Sequence, residues 1–188
     1  MTEARGSNYV RGAGSLAERR GEIAWRLGDR GGAVVLSEGE VTIAPEPSGP
    51  GGESSTGWAF ESSWDANPLE GAAVFRHLAV EAPDGAAIVV SSTGPPGIEG
   101  HGLEQTEGIL RAPDAATPFD EALLSTQYDA QGRPTRVGLE LWRGDGAPPT
   151  RIAASLLGGA ERGGTWAGFF RCRADGAEGL GSYLLWHS

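Results

Sequence analysis

The stretch GIEGHGLEQTEGIL, residues 97–110, sets a histidine, a glutamine and several glutamates among glycines and leucines, side chains of the types that donate and accept protons. In an extended chain successive side chains point to opposite faces. If 99–109 is one strand, Glu99, His101, Leu103, Gln105, Glu107 and Ile109 share one face, while Gly102, Glu104, Thr106, Gly108 and Leu110 share the other. On the odd face His101, Gln105 and Glu107 stand in file, about 6–7 Å apart per two-residue step, a spacing that suits a donor and an acceptor lining a wet cavity. The same row also fits a solvated outer face with Leu110 turned inward. The sequence leaves both readings open.

A second group lies in GWAFESSWDANPLEGAAVFRH, residues 57–77. Trp58 and Trp64 flank a polar segment and are candidates for an aromatic ligand pocket, although tryptophans also fill cores. Asp65, beside Trp64, would become a general acid if burial raised its pKa, and an ordinary turn residue otherwise. Arg76 and His77 are neighbours on one strand, so only one of them can face a barrel lumen. The expected catalytic set is therefore Asp65, His101, Glu107 and Tyr128, with Trp58, Trp64, Arg76, His77 and Gln105 binding ligand.

Other chemistries are poorly supported. The three histidines, at 77, 101 and 187, form no metal-binding spacing, and the one cysteine, Cys172, allows no internal disulfide or CxxC site. Alternation groups Cys172 with Trp166, Gly168 and Phe170, a packed setting for a thiol. GAGSLAERRGE leads into a strand pattern and lacks the strand-loop-helix context of a phosphate loop. No metal or other cofactor is expected. The 25 acidic residues against 15 arginines give a formal charge of -10, which disfavours nucleic acid and anionic membranes as partners. The chain start has no apolar run of signal-peptide length and no stretch nears 18 apolar residues, so the expected location is cytoplasmic.

The elements that must position these residues read as strands. In EIAWRLG, Ile23, Trp25 and Leu27 alternate with Glu22, Ala24 and Arg26; in RVGLELW, Val137, Leu139 and Leu141 alternate with Arg136, Gly138 and Glu140. Asp84-Gly85 and DAQG at 129–132 mark hairpins. With 31 glycines punctuating such runs, the pattern predicts one all-β domain, an antiparallel up-and-down β-barrel of about ten strands. A Pro/Gly/Ser-rich loop is expected at 45–57, and one helical turn at 117–124.

LLSTQYDAQGRPTRVGLELW (123–142) and GFFRCRADGAEGLGSY (168–183) resemble lipocalin-like proteins related to carotenoid 1,2-hydratase, also called hydroxyneurosporene synthase. The likeness covers roughly the last third of the chain. ESSWD at 61–65 keeps Ser63 and Trp64 of that family's R-D-H-S-W-G motif. The resemblance implies a lipocalin-like, calycin-type barrel with an apolar cavity. Two functions follow as expectations. One is a cofactor-independent enzyme of secondary metabolism that cyclises, isomerises or hydrates a hydrophobic polyene, isoprenoid or polyketide-like molecule. The other is a carrier that binds such a molecule without chemistry, since one fold serves both. The expected partner is a hydrophobic small molecule, and strand edges leave a homodimer open.

Overall fold

The computed structural model describes residues 8–44, 57–81, 86–96, 103–112, 114–144, 146–174 and 176–188. Every regular element among them is a strand, and all pairings are antiparallel. Five strands form the first sheet: β1 (Asn8–Ser15), β2 (Arg20–Leu27), β3 (Arg30–Ser37), β4 (Glu40–Ala44) and β5 (Trp58–Trp64), in the order β4-β3-β2-β1-β5. Nine more form the second: β6 (Val74–Glu81), β7 (Ala87–Gly94), β8 (Gln105–Ala112), β9 (Ala115–Pro118), β10 (Glu121–Tyr128), β11 (Pro134–Trp142), β12 (Thr150–Arg162), β13 (Thr165–Ala174) and β14 (Ala177–His187). Their order is β10-β11-β12-β13-β14-β6-β7-β8-β9, so the meander from β6 to β14 returns and pairs its last strand with its first.

This second sheet curls into a barrel-like shape. One seam remains, where β10 comes against β8 without a ladder between them. Side chains bridge it: a Cβ on Gly108 of β8 would lie 3.0 Å from Leu141 of β11 and 3.2 Å from Ala122 of β10. Phe119 is buried at the same place, its N–H donating to the Gly108 carbonyl at 2.8 Å.

Alternation splits the apolar residues into two cores. Even positions of β6, such as Leu78 and Val80, join Ile88 and Val90, Leu124, Val137, Leu139, Leu141, Trp166, Phe170, Cys172 and Tyr183 inside the curl. Odd positions, Phe75 and Ala79, face outward and meet the first sheet through Val10, Ile23, Trp25, Leu27, Trp58 and Phe60. The nine-stranded sheet is thus covered on both faces over β6, β7, β13 and β14. This is why β6 has six consecutive buried residues where a one-sided strand would alternate.

The all-β antiparallel barrel-like architecture agrees with the sequence reading, and the two alternating runs at 22–27 and 136–141 bury the residues expected. Among the described residues there are fourteen strands where about ten were expected, because an outer sheet lies against the barrel. The expected helical turn at 117–124 is absent. Residues 115–118 and 121–128 are β9 and β10, and the intervening Phe119 and Asp120 amides donate to Gly108 and Trp142 on other strands. A backbone donor engaged across strands is not free for a carbonyl four residues earlier in its own chain. The hairpin at DAQG is present: Gly132 has φ +77, and the Asp129 carboxylate accepts from the Gln131 and Arg133 amides, each at 2.9 Å. Residues 84–85 and 45–56 lie outside the described residues; β6 and β7 do pair as the hairpin at Asp84-Gly85 requires.

Candidate functional site

Two polar sites arise on opposite faces of β6, one from Arg76 and one from His77. Their separation follows from adjacent positions in one strand.

Arg76 enters the barrel. Its Nε donates to a Glu104 carboxylate oxygen at 2.9 Å, Nη1 to Thr126 Oγ1 at 2.9 Å and Nη2 to the Leu124 carbonyl at 2.9 Å. Nη2 also donates to Glu104, and the two charged side chains are 1% and 2% exposed. Ser92 Oγ donates to the same Glu104 oxygen and shares a 2.9 Å hydrogen bond with Thr106. Thr126 pairs with the Tyr183 hydroxyl at 2.9 Å. Burial pushes the Tyr183 and Tyr128 hydroxyls above the usual tyrosine range, the nearby Arg76 charge opposing it in both. Arg76 therefore binds β6 to both sides of the seam, to Glu104 just before β8 and to Leu124 and Thr126 of β10. Every polar side chain named in this network has a partner.

His77 points the other way, into the layer between the barrel and the outer sheet. Its Nδ1 is 2.9 Å from Ser91 Oγ on the adjoining strand β7, while Nε2 is buried with no hydrogen-bond partner among the described residues. Three rings surround the imidazole. Trp64 meets it edge-on with centroids 5.4 Å apart, Phe60 is tilted at 5.7 Å and Phe75 is stacked at 6.3 Å. Trp58 extends the cage by stacking on Phe60 at 5.2 Å. The sequence builds this wall simply: in β5 the alternate residues Trp58, Phe60, Ser62 and Trp64 turn inward, and 59, 61 and 63 face water. Gly12 on β1 makes room, since a Cβ there would lie 2.4 Å from the Phe60 ring. Ser62, between two of the cage rings, has a buried hydroxyl that is also unpartnered.

Burial is the main cause that pushes the His77 pKa down to about 3, and the Arg111 guanidinium adds to it. The ring is neutral at pH 7. A neutral imidazole fixed through Nδ1 offers a single directed group at Nε2, a donor if Ser91 donates to Nδ1 and an acceptor if the proton sits on Nδ1.

Trp58, Trp64 and His77 thus come together in one cage. Arg76 and Tyr128 come together in the barrel network. Gln105 and Glu107 are exposed on the outer face of β8, and it is Glu104 and Thr106 that turn inward, with Leu110 packed against the barrel core. Asp65 is exposed, one residue beyond β5. His101 lies outside the described residues. Asp65, Glu107 and Tyr128 therefore occupy three different surroundings. Phe60, Ser62, Ser91 and Glu104 went unnoticed as site residues. The inward-facing W-F-S-W alternation of 58–64 was the available signal for the first two, whereas Ser91 and Glu104 required strand pairing.

Cys172 is packed in the barrel core, and burial raises its thiol pKa to about 12, so it is no nucleophile at neutral pH. Among the described residues no cluster of three or more histidine, cysteine or acidic side chains is placed to hold a metal ion. No helix of the described residues is long and apolar enough to cross a membrane. In comparisons with known proteins no family model matches the chain, and neither characterised proteins nor solved structures give a match.

Proposed function

We propose that the protein binds a hydrophobic small molecule in the cage around His77, as a carrier or receptor domain. One observation carries this reading: a wholly buried imidazole nitrogen without a partner, set among three aromatic rings and beside a second unpartnered hydroxyl on Ser62. A buried polar atom left unpaired costs about 1–3 kcal/mol, so native structures seldom keep one without use. Small-molecule sites have the corresponding composition, mostly apolar and aromatic walls with a few directed polar groups. The half-buried Trp64 lies at the rim of the cage, next to exposed Asp65.

The resemblance of 123–142 and 168–183 to lipocalin-like hydratase relatives points toward the same ligand class; those segments are the β10–β11 and β13–β14 hairpins. Calorimetric titration with naphthalene-sized aromatic probes tests the site. Binding that disappears in His77→Phe and survives in Asp65→Asn supports it. Equal binding by wild type and His77→Phe sinks it.

A catalytic reading draws on a different observation. Half-buried Tyr128, with Thr126 and Tyr183, forms a hydroxyl group cluster braced by Arg76 and Glu104 inside an apolar barrel. Such an array would hold a proton donor against a polyene, isoprenoid or polyketide-like substrate during cyclisation, isomerisation or hydration. Its test is loss of turnover in Tyr128→Phe with the fold intact.

A further inference from the structure

Five side chains converge at one end of the layer between the barrel and the outer sheet, where β2 and β3 face β12, β13 and β14. In the β2–β3 ladder Trp25 stands opposite Gly32 and Leu27 opposite Arg30, and residues opposite each other share a face, so Trp25 and Arg30 look toward the barrel with Leu27. Across the layer Thr165 stands between Arg162 and Trp186 in register, and Trp186 packs toward the outer sheet. Close approaches link the two sides. A Cβ on Gly32 would lie 2.7 Å from Trp25 Cζ2, on the ring edge that carries Nε1, and 2.8 Å from Arg162 Cδ, so indole and arginine meet over that glycine. The Arg30 guanidinium lies 5.2 Å from the Trp186 ring centroid, and its Nη1 would be 2.8 Å from a Cβ on Gly164, in the turn that joins Arg162 to Thr165.

Donors are in excess here. Trp25 and Thr165 are 0% exposed and Trp186 5%, yet Trp25 Nε1, Thr165 Oγ1 and Trp186 Nε1 have no hydrogen-bond partner among the described residues. Half-buried Arg30 stacks on Trp186 and makes no hydrogen bond or ion pair among those residues. Half-buried Arg162 makes one hydrogen bond, from Nη1 to the Ala44 carbonyl at 2.6 Å. The carboxylates next to them in sequence, Asp29 and Glu161, are exposed and pair with neither. Indole N–H groups and guanidinium ions donate and never accept, so four of the five groups cannot satisfy one another.

We propose that this end of the layer binds a small oxyanion, a carboxylate or phosphate group, with Arg30 and Arg162 at its mouth and Trp25, Thr165 and Trp186 beneath them. Such a group brings several acceptor lone pairs and no obligatory donor, which is what the five side chains lack. Its bonds to the two guanidinium ions are charge-assisted and roughly twice as strong as neutral ones. A cation would meet two like charges. The formal charge of -10 repels anions from the chain as a whole, so uptake of one reports this local set of donors. The site shares no residue with the cage around His77 and stands or falls apart from it.

Indole N–H resonances of nitrogen-15-labelled protein, followed at pH 7 and constant ionic strength during separate titrations with inorganic phosphate, acetate and chloride, test the site. Phosphate or acetate should move the Trp25 and Trp186 signals saturably, with a Kd of about 1 mM or tighter, and leave those of Trp142 on β11 and Trp166 in the barrel core in place. Whichever oxyanion binds more tightly tells phosphate from carboxylate. Arg30→Gln and Arg162→Gln should each weaken that binding at least about tenfold. Arg151→Gln, at an exposed arginine already paired with Glu140, should not. No saturable shift with either oxyanion in the wild type overturns the proposal, as does an equal response to chloride or affinity that survives in both arginine variants. The wild-type titrations suffice to reject it, so the outcome does not hinge on the folding of a variant.

Discussion

The inside of the barrel and the layer outside it treat buried polar groups in opposite ways. Inside, Arg76, Glu104, Ser92, Thr106, Thr126 and Tyr183 satisfy one another. Outside, the described residues leave Trp25, Trp58, Ser62, His77, Arg111, Thr165, Ser182 and Trp186 each with a buried polar atom that has no partner. All eight lie on the outer face of the barrel or on the sheet laid against it. The contrast is what the proposed binding reading rests on. A closed network has no donor to spare and holds the seam together; an open set of donors and acceptors is what a ligand can complete.

The largest effect should come from opening the inner network. Arg76→Ala removes the guanidinium that pairs with the buried Glu104 carboxylate and with Thr126 and Leu124, and should lower stability by about 3–5 kcal/mol in urea unfolding. Arg76→Met combined with Glu104→Leu should be far less damaging than either single change, because the two buried charges of the pair are removed together. If the double variant is the least stable of the three, the network has no such closed character.

Acid should act on the outer layer first. The folded His77 pKa of about 3 lies below its ordinary value of 6.5, so the unfolded chain binds the extra proton. His77 therefore favours folding most above pH 6.5, and this contribution falls away as pH drops toward 3, by up to about 1.4 kcal/mol per pH unit. Unfolding free energies measured from pH 7 to 5 in wild type and His77→Phe should diverge by that slope. Parallel curves would show that His77 is not buried as a neutral ring.

A smaller effect isolates the unpaired nitrogen. At pH 7 His77→Phe exchanges an unsatisfied polar ring for an apolar one in an aromatic cage, and stability should hold or rise by about 1 kcal/mol. A loss of several kcal/mol would show that Nε2 makes a stabilising bond, as through a buried water, and would blur the contrast between the layers. The smallest effect belongs to the exposed positions: Asp65→Asn and Glu107→Gln should each change stability by less than about 0.5 kcal/mol and leave probe binding as it was.

Local pattern went far in this protein. The two-residue period marked β2 and β11 correctly, and it divided 103–110 into the two faces that the structure has, with Glu104 opposite Gln105 and Glu107. It also set Arg76 and His77 on opposite sides of one strand. Missing was the identity of each side. One lumen was anticipated, which left only Arg76 or His77 with an interior to enter; both are buried, because the outer sheet creates a second interior against the barrel wall. Two apolar faces give β6 a continuous buried run, and such a run carries no periodic sign of which core each residue joins.

Residue order by itself determined that this chain would be built of antiparallel strands, that Arg76 and His77 point to opposite faces of one strand, and that Cys172 packs with Trp166 and Phe170. These depend on alternation and turn chemistry within a few residues. Only the tertiary structure decided that Glu104 rather than Glu107 turns inward, that Arg76 closes a seam, and that Ser91 and Phe60 belong with His77. Those choices depend on the curl of a nine-stranded sheet and on what packs against its outside. Side-chain direction is set locally, whereas the surroundings into which it points are assembled from strands distant in the chain.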